Sequence, residues 1–412
     1  MRMMLKTGEA ARRRRMLLVS GVSAGIAGLL PVSLHHAPVK RIRNGAVGGI
    51  GGAKVPPTIA SLADYGGRPG ARRSILISAF DKAFAALDRA GGGTLFVPAG
   101  VYDFGPYADA DYVILCRNLR NVAISAYGAV FTATTTANVV PSLFYFFNFH
   151  NITIAGASFI DPGFNPRFNW KGMYCVGIQA DQLSSGLTLV DCYAERVTGL
   201  LASNNNAASR QFISDVNVQG EVRYSYYGVG ANFIRENVNV DLVCHNVRRA
   251  FIAYALRKAK IIITSSNTSD WPGSNGLVAL VSNGASTGDV ENVRVRVDVS
   301  GECIHSSYVH FYHQGTEIHG SMRDIDATVN VTNADSTGSL FVFDHETDHV
   351  QSRTARVWDR IRLHGTVTAK FKGRVVANAS ATTSPGTVYV DRNLAQVGNM
   401  NILAAGFRVA AP

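Results

Sequence analysis

The run YVHFYHQ at 308–314 sets a histidine between two tyrosines at alternate positions. On an extended strand, side chains two apart share a face. Val309 and Phe311 then suit a buried side, and Tyr308, His310 and Tyr312 turn outward together. An imidazole beside a phenol can take up and return a proton. In SLFVFDHE (339–346), Leu340 and Val342 compete with Phe341 and Phe343 for the buried side, so either Asp344 or His345 faces out. Glu346 follows directly, and YCVGIQADQ (174–182) brings Asp181 to the end of another apolar run. Two carboxylates facing one another can act as acid and as base or nucleophile, whereas a lone His, Tyr or Arg can serve as the base in a proton abstraction. The candidate catalytic residues are therefore Asp181, Asp344, Glu346, His310 and Tyr312.

The same alternation turns Asn232 and Tyr254 outward, with Arg235, Glu236, Arg248 and Arg249 along one edge. The segment DPGFNPRFNWKG (161–172) offers Phe164, Phe168 and Trp170 as a wall, and SDWPGSN (269–275) offers Asp270 and Trp271. Outward aromatics beside ionisable groups suit sugar rings, whose C–H faces stack on Tyr and Trp while their hydroxyls take hydrogen bonds. Candidate substrate-binding residues are Asn232, Arg235, Arg249, Tyr254, Trp170, Asp270 and Trp271. Arg248 and Arg249 also read as a solvated turn. His305, His313 and His319 lie near His310 without a recognised ligand spacing, so no metal and no cofactor is expected.

These residues need a scaffold that repeats, because the phrases carrying them repeat. A polar residue followed by apolar alternation recurs at 120–128, 150–159, 185–197, 210–220, 236–247, 258–267, 291–301, 323–333 and 359–369. The first apolar positions run from 122 to 361 with a mean period of about 30. Short period-2 runs bounded by Gly, Asn, Asp and Ser, with no helices between, predict an all-β solenoid. The fold expected is a right-handed parallel β-helix with about three short strands per rung. An open solenoid end exposes unpaired backbone and apolar side chains. SILISAFDKAFAALDRA (74–90) supplies a short N-terminal capping helix, with Leu76, Phe80, Ala83 and Leu87 on one stripe. Gly91 to Gly93 end it, and TLFVP begins the first strand.

The segment SLADYGGRPGARRSILISAFDKAFAALDRAGGGTLFVPAGVYDF (61–104) resembles the N-terminal segment of the pectate-lyase-like β-helix superfamily, in the branch related to polygalacturonases. Gly92, Gly93, Phe96, Pro98, Gly100 and Tyr102 match that family's glycine pair and proline–glycine–tyrosine turn. Its acidic pair before the helix is replaced by Arg72-Arg73-Ser74, where Ser74 can still cap. The resemblance implies the fold and a carbohydrate substrate lying across one sheet, on the strand that follows each phrase. It does not supply a catalytic set. No Asp-Asp occurs anywhere, and NTSD (267–270), IHG (318–320) and RIR (360–362) are only partial echoes of polygalacturonase motifs. The activity expected first is a glycoside hydrolase cleaving a polysaccharide or oligosaccharide, with a polysaccharide lyase acting on a uronate and a non-catalytic glycan-binding β-helix as the alternatives.

Charge points elsewhere only at first sight. Of the net +11, residues 1–44 hold nine Lys/Arg and one acid, leaving a nearly neutral body. That removes nucleic acid as a partner suggested by charge. The partner expected is a polysaccharide or oligosaccharide. Arg13-Arg14 before a Gly- and Ala-rich apolar run resembles a twin-arginine export signal. Residues 1–44 thus read as a leader, 45–57 as a flexible linker and 58–412 as a single β-helix domain. Location is then periplasmic or secreted, with membrane contact only through the leader if it stays uncleaved. Five widely spaced cysteines (Cys116, Cys175, Cys192, Cys244, Cys303) read as small buried residues.

Overall fold

The computed structural model describes residues 58–107, 112–135, 141–164, 172–203, 212–232, 234–266, 276–283, 288–300, 307–314, 321–332, 338–345, 357–368, 371–378, 386–397 and 407–409. All belong to the compact unit Gly52–Pro412. The leader and linker expected over 1–57 lie outside them. The strands form two long sheets, one of sixteen and one of ten strands, and every pairing is parallel. A chain that winds repeatedly from one parallel sheet to the other and back is a right-handed parallel β-helix. All nine repeated phrases fall in the sixteen-strand sheet, stacked in sequence order.

Each phrase carries a device that the alternation alone does not show. Its second or nearby residue has positive φ in all nine rungs: Asn121, Asn151, Gly186, Asp215, Asn237, Lys258, Asn292, Asp324 and Arg360. Asn, Asp and Gly tolerate this left-handed conformation, which turns the corner into the strand. The side chains stack as a column, with Asn151 Nδ2 donating to Asn121 Oδ1 at 2.9 Å and Asn237 Nδ2 to Asp215 Oδ1 at 2.9 Å. The two ill-suited members are held by charge. Lys258 Nζ meets Glu236 at 2.7 Å, and Arg360 grips Asp324 through two contacts of 2.7 Å. The column also sets the register. Val216 and Ala259 fill the first inward positions of their rungs, pairing with Leu187 and Val238. Alternation alone would have started those phrases at Phe212 and Ile261.

The cap is a helix at Arg73–Arg89, with Leu76, Phe80, Ala83 and Leu87 all buried. Phe80 meets the rings of Phe104, Phe131 and Phe144 at 6.5, 6.3 and 5.4 Å, so the helix closes the apolar end of the solenoid. Ser74 does not cap it. The helix starts one residue earlier, after Arg72, without a side-chain cap bond. Nor is TLFVP the first strand: Ile59–Ser61 precedes the helix and pairs with Gly93–Phe96. Cys116, Cys175, Cys192 and Cys244 are buried thiols, as expected of small core residues, and Cys303 lies outside the described residues.

Candidate active site on the ten-strand sheet

The ten strands run along the axis as Tyr112–Arg117, Ser142–Phe147, Tyr174–Gln179, Gly199–Ser203, Tyr227–Gly230, Arg249–Tyr254, Val278–Asn283, Ser307–Gln314, Ser339–His345 and Val376–Asn378. Three of them fall in the runs singled out from the sequence, 174–182, 308–314 and 339–346. Parallel register stacks their side chains in rows. One outward row reads Gly177, Ala202, Gly230, Ile252, Ala279, His310, Val342. The next reads Tyr254, Val281, Tyr312, Asp344. Arg249 pairs with Tyr227 in a third, at the strands' start.

Ile252, Ala279 and Val281 are buried, yet they form a cluster of their own, separate from the solenoid core. Tyr227, Tyr254 and Tyr312 pack against it. The outer face thus has an apolar floor with phenol rims, which is what a sugar ring's C–H face requires. His310 lies at the end of that floor, only 6% exposed. Its ring centroid is 5.3 Å from that of Tyr312, and its Nε2 is 3.7 Å from Asp344 Oδ2. Arg249 sits two strands away and three residues nearer the strands' start, a Cα separation of about 14 Å. Its Nε donates to the Gly276 carbonyl at 3.4 Å. Burial pushes the Arg249 pKa down, and Tyr227 and Tyr254 oppose that shift. Burial pushes the Tyr227 pKa up, with Arg249 opposing.

Gly276 is the joint between these groups. Its φ is +112°, and a Cβ there would lie 2.7 Å from His310 Cβ and 3.0 Å from Ser307 Oγ. Only glycine lets the chain hold Arg249 by its carbonyl while leaving room for His310.

Several sequence expectations are placed differently. Tyr308 is fully buried in the core rather than outward. Two successive residues go inward at this point in each rung: Tyr308 with Val309, Leu340 with Phe341, Leu277 with Val278, Ala250 with Phe251. Strict alternation therefore fails at the strands' start and holds beyond it. Phe341 and Phe343 take the interior, leaving Asp344 half-buried beside His310. Asp181 is not part of this group. It is exposed at the turn after its strand, its carboxylate accepting from Asn148 Nδ2 at 2.8 Å. Six strand steps separate its rung from that of Asp344, about 29 Å. Arg248 and Arg249 part company: Arg248 covers the Tyr226 ring at 4.4 Å, and Arg249 joins the site. Arg235 is half-exposed beside Glu236 at 3.8 Å, at the corner leaving the sheet. Asn232 follows Gly230 and is partly buried. His313 is buried against Trp358, ring centroids 5.0 Å apart. Phe164 is also buried, so it is not a free wall. Glu346, Trp170, Phe168, Asp270, Trp271, His305 and His319 lie outside the described residues. Among the described residues, no group of three or more His, Cys, Asp or Glu could hold a metal ion. The sequence reading missed Tyr227, Gly276 and the floor residues, because the double inward step hides which of them face out.

No protein-family model and no curated protein matches the chain. Solved structures do. The A-module of the Azotobacter vinelandii mannuronan C-5 epimerase AlgE6 is 13% identical with a TM-score of 0.32, covering 85% of this chain and 99% of that one. An exopolygalacturonase from Thermotoga maritima is 12% identical with a TM-score of 0.37, covering 82% and 87%. ORF18 of Geobacillus virus E2 is 11% identical with a TM-score of 0.38, covering 81% of this chain and 61% of that one.

Proposed function

We propose that the protein is a carbohydrate-active enzyme that cleaves a uronate-containing polysaccharide by β-elimination. The observation that carries this is a mostly buried arginine, Arg249, on the same outer face as His310, Tyr312 and Asp344, across an apolar floor. In such a reaction the base removes the proton α to the uronate carboxylate. The electron pair forms the new ring double bond, and the glycosidic oxygen leaves and takes up a proton. Arg249 neutralises the carboxylate and so makes that proton more acidic. His310 or Tyr312 takes the proton, and the other is placed to return one to the leaving oxygen. Asp344 orients the His310 ring. Tyr254 and Tyr227 stack on the sugar.

Hydrolysis needs a second carboxylate roughly 5 to 10 Å from the first, and Asp181 lies far outside that reach. The hydrolase reading would rest on Asp344 with Glu346, and the glycan-binder reading on neither. The test is incubation with polygalacturonate, polymannuronate and unsulfated glycosaminoglycans. Absorbance near 235 nm from an unsaturated product is expected, and it disappears in His310→Ala. New reducing ends without that absorbance would replace elimination by hydrolysis, and no product from any polymer would favour the binder.

A further inference from the structure

The outer face of the sixteen-strand sheet carries a group of side chains unconnected with Arg249 and His310. Three neighbouring strands, Ile213–Arg223, Glu236–His245 and Arg257–Ser266, end side by side there. Their last outward residues, Arg223, His245 and Ser266, share one register row. Glu221 lies two residues before Arg223 and so on the same face. His245 Nδ1 is 2.7 Å from Ser266 Oγ, and its Nε2 is 3.5 Å from Glu221 Oε1. Ser266, His245 and Glu221 are all partly exposed, so a molecule from solvent can reach them.

The carboxylate fixes where the protons lie. Glu221 is ion-paired with Arg223, and an ionised carboxylate only accepts. His245 therefore carries its N–H on Nε2, toward Glu221, and leaves Nδ1 bare. The bare nitrogen accepts from the Ser266 hydroxyl, which is the contact that turns a serine into a nucleophile. Burial pushes the His245 pKa down, with Glu221 opposing and Arg223 adding, so the ring is neutral at pH 7 and can take a proton. Ser300 pairs with Ser266 on the next strand and is exposed. It brings a second hydroxyl about 4.8 Å along the row, where it can donate to a developing oxyanion. Val243 and Thr264, two residues before His245 and Ser266, are register partners and give a small apolar footing. Thr264 in turn pairs with Asp298, which Arg296 and Asn330 each hold at 2.8 Å, so the footing ends on polar groups within one strand.

We infer that Ser266, His245 and Glu221 form a second active site, which hydrolyses esters of short acyl groups about the size of acetyl. Ser266 Oγ attacks the ester carbonyl carbon, its proton passes to His245 Nδ1, and the alcohol leaves with that proton. Water then attacks the acyl-serine and gives a proton to His245. The carboxylic acid departs as Ser266 takes that proton back. Glu221 is a positioning residue that orients the ring.

The test uses the full chain with p-nitrophenyl acetate, p-nitrophenyl octanoate and a fluorophosphonate probe mapped by mass spectrometry. The probe is expected to label Ser266 in the native protein and to fail in His245→Gln. Turnover of the acetate ester at pH 7.5 should fall about 100-fold or more in Ser266→Ala, and about 100-fold in Ser300→Ala, at unchanged urea midpoints. Turnover should also fall on acidification below about pH 6.5, as His245 takes up a proton. Glu221→Gln moves that limb to lower pH, which loss of a merely structural contact would not do. The octanoate ester should give a kcat/KM at least about tenfold lower. No adduct on Ser266, a Ser266→Ala rate equal to that of the native chain, or equal turnover of the two esters would each overturn the site.

Discussion

Replacing Gly276 by alanine tests the geometry of the site more directly than removing any reactive group. At φ +112° an L-residue is strained, a cost of about 1–3 kcal/mol. The added methyl would also stand 2.7 Å from His310 Cβ and 3.0 Å from Ser307 Oγ, so His310 or the Gly276 backbone must move. Forced overpacking of that kind costs about a further 1–3 kcal/mol. The sum, about 2–6 kcal/mol, sits at or below the roughly 5–15 kcal/mol that holds a domain folded. The variant is expected to remain folded at 25 °C with a clearly lowered urea midpoint. The catalytic effect should exceed what lost stability explains. Gly276 carries the carbonyl that binds Arg249 and abuts His310, and a shift of about 1 Å at a reacting group can cost about 100-fold. The assay is kcat/KM on the cleaved polymer, well below the melting temperature, beside urea unfolding. Gly105→Ala is the control, since it too has positive φ (+63°) but its new methyl meets nothing within 4 Å. Should Gly276→Ala keep full activity and an unchanged midpoint, the joint between Arg249 and His310 does not exist as described.

Other outcomes follow from the same contacts. Arg249→Lys should raise KM on a uronate polymer about 10-fold or more with a smaller change in kcat, because an ammonium cannot reproduce the planar fork; Michaelis profiles check this. Gly186→Ala should lower stability by about 1–3 kcal/mol in chemical denaturation, since φ is +77° and the methyl would lie 2.8 Å from Asn151 Oδ1. His245 is held below its ordinary pKa first by burial, with Arg223 adding and Glu221 opposing. Between its folded pKa and about 6.5, the unfolded chain binds more protons than the folded one. Stability is therefore greatest above about pH 6.5 and falls on acidification below it, and His245→Gln should flatten that part of the urea midpoint–pH curve.

Much of the architecture could be read from the residues because a solenoid writes its geometry once per rung. The nine phrases announced nine stacked strands, and the apolar stripe of 74–90 announced a lid. The strand after each phrase could be named because the winding order repeats. What stayed hidden is local. Asn, Asp and Gly at the corners were visible as turn formers, but Lys258 and Arg360 at the same corner have no such signature, being held by partners on the preceding rung. The alternation that sent His310, Tyr312 and Tyr254 outward fails two residues earlier, where Tyr308 and Val309 both enter the core. Asp181 looked like a groove carboxylate, but its partner Asn148 is 33 residues away in the chain. Arg248 and Arg249 differ only in which ring or carbonyl each meets. Such contacts are set by packing between rungs and leave no periodic trace.

The even stacking of the ten strands has a consequence for how such a surface can change. Along the axis, groups on different rungs are separated by whole multiples of about 4.8 Å, so that spacing works like teeth on a gear rack, not a sliding scale. Arg249 and His310 are two teeth apart. A longer or shorter ligand cannot be met by small adjustments of the scaffold. It requires a different side-chain length, a new loop, or the gain or loss of an entire turn.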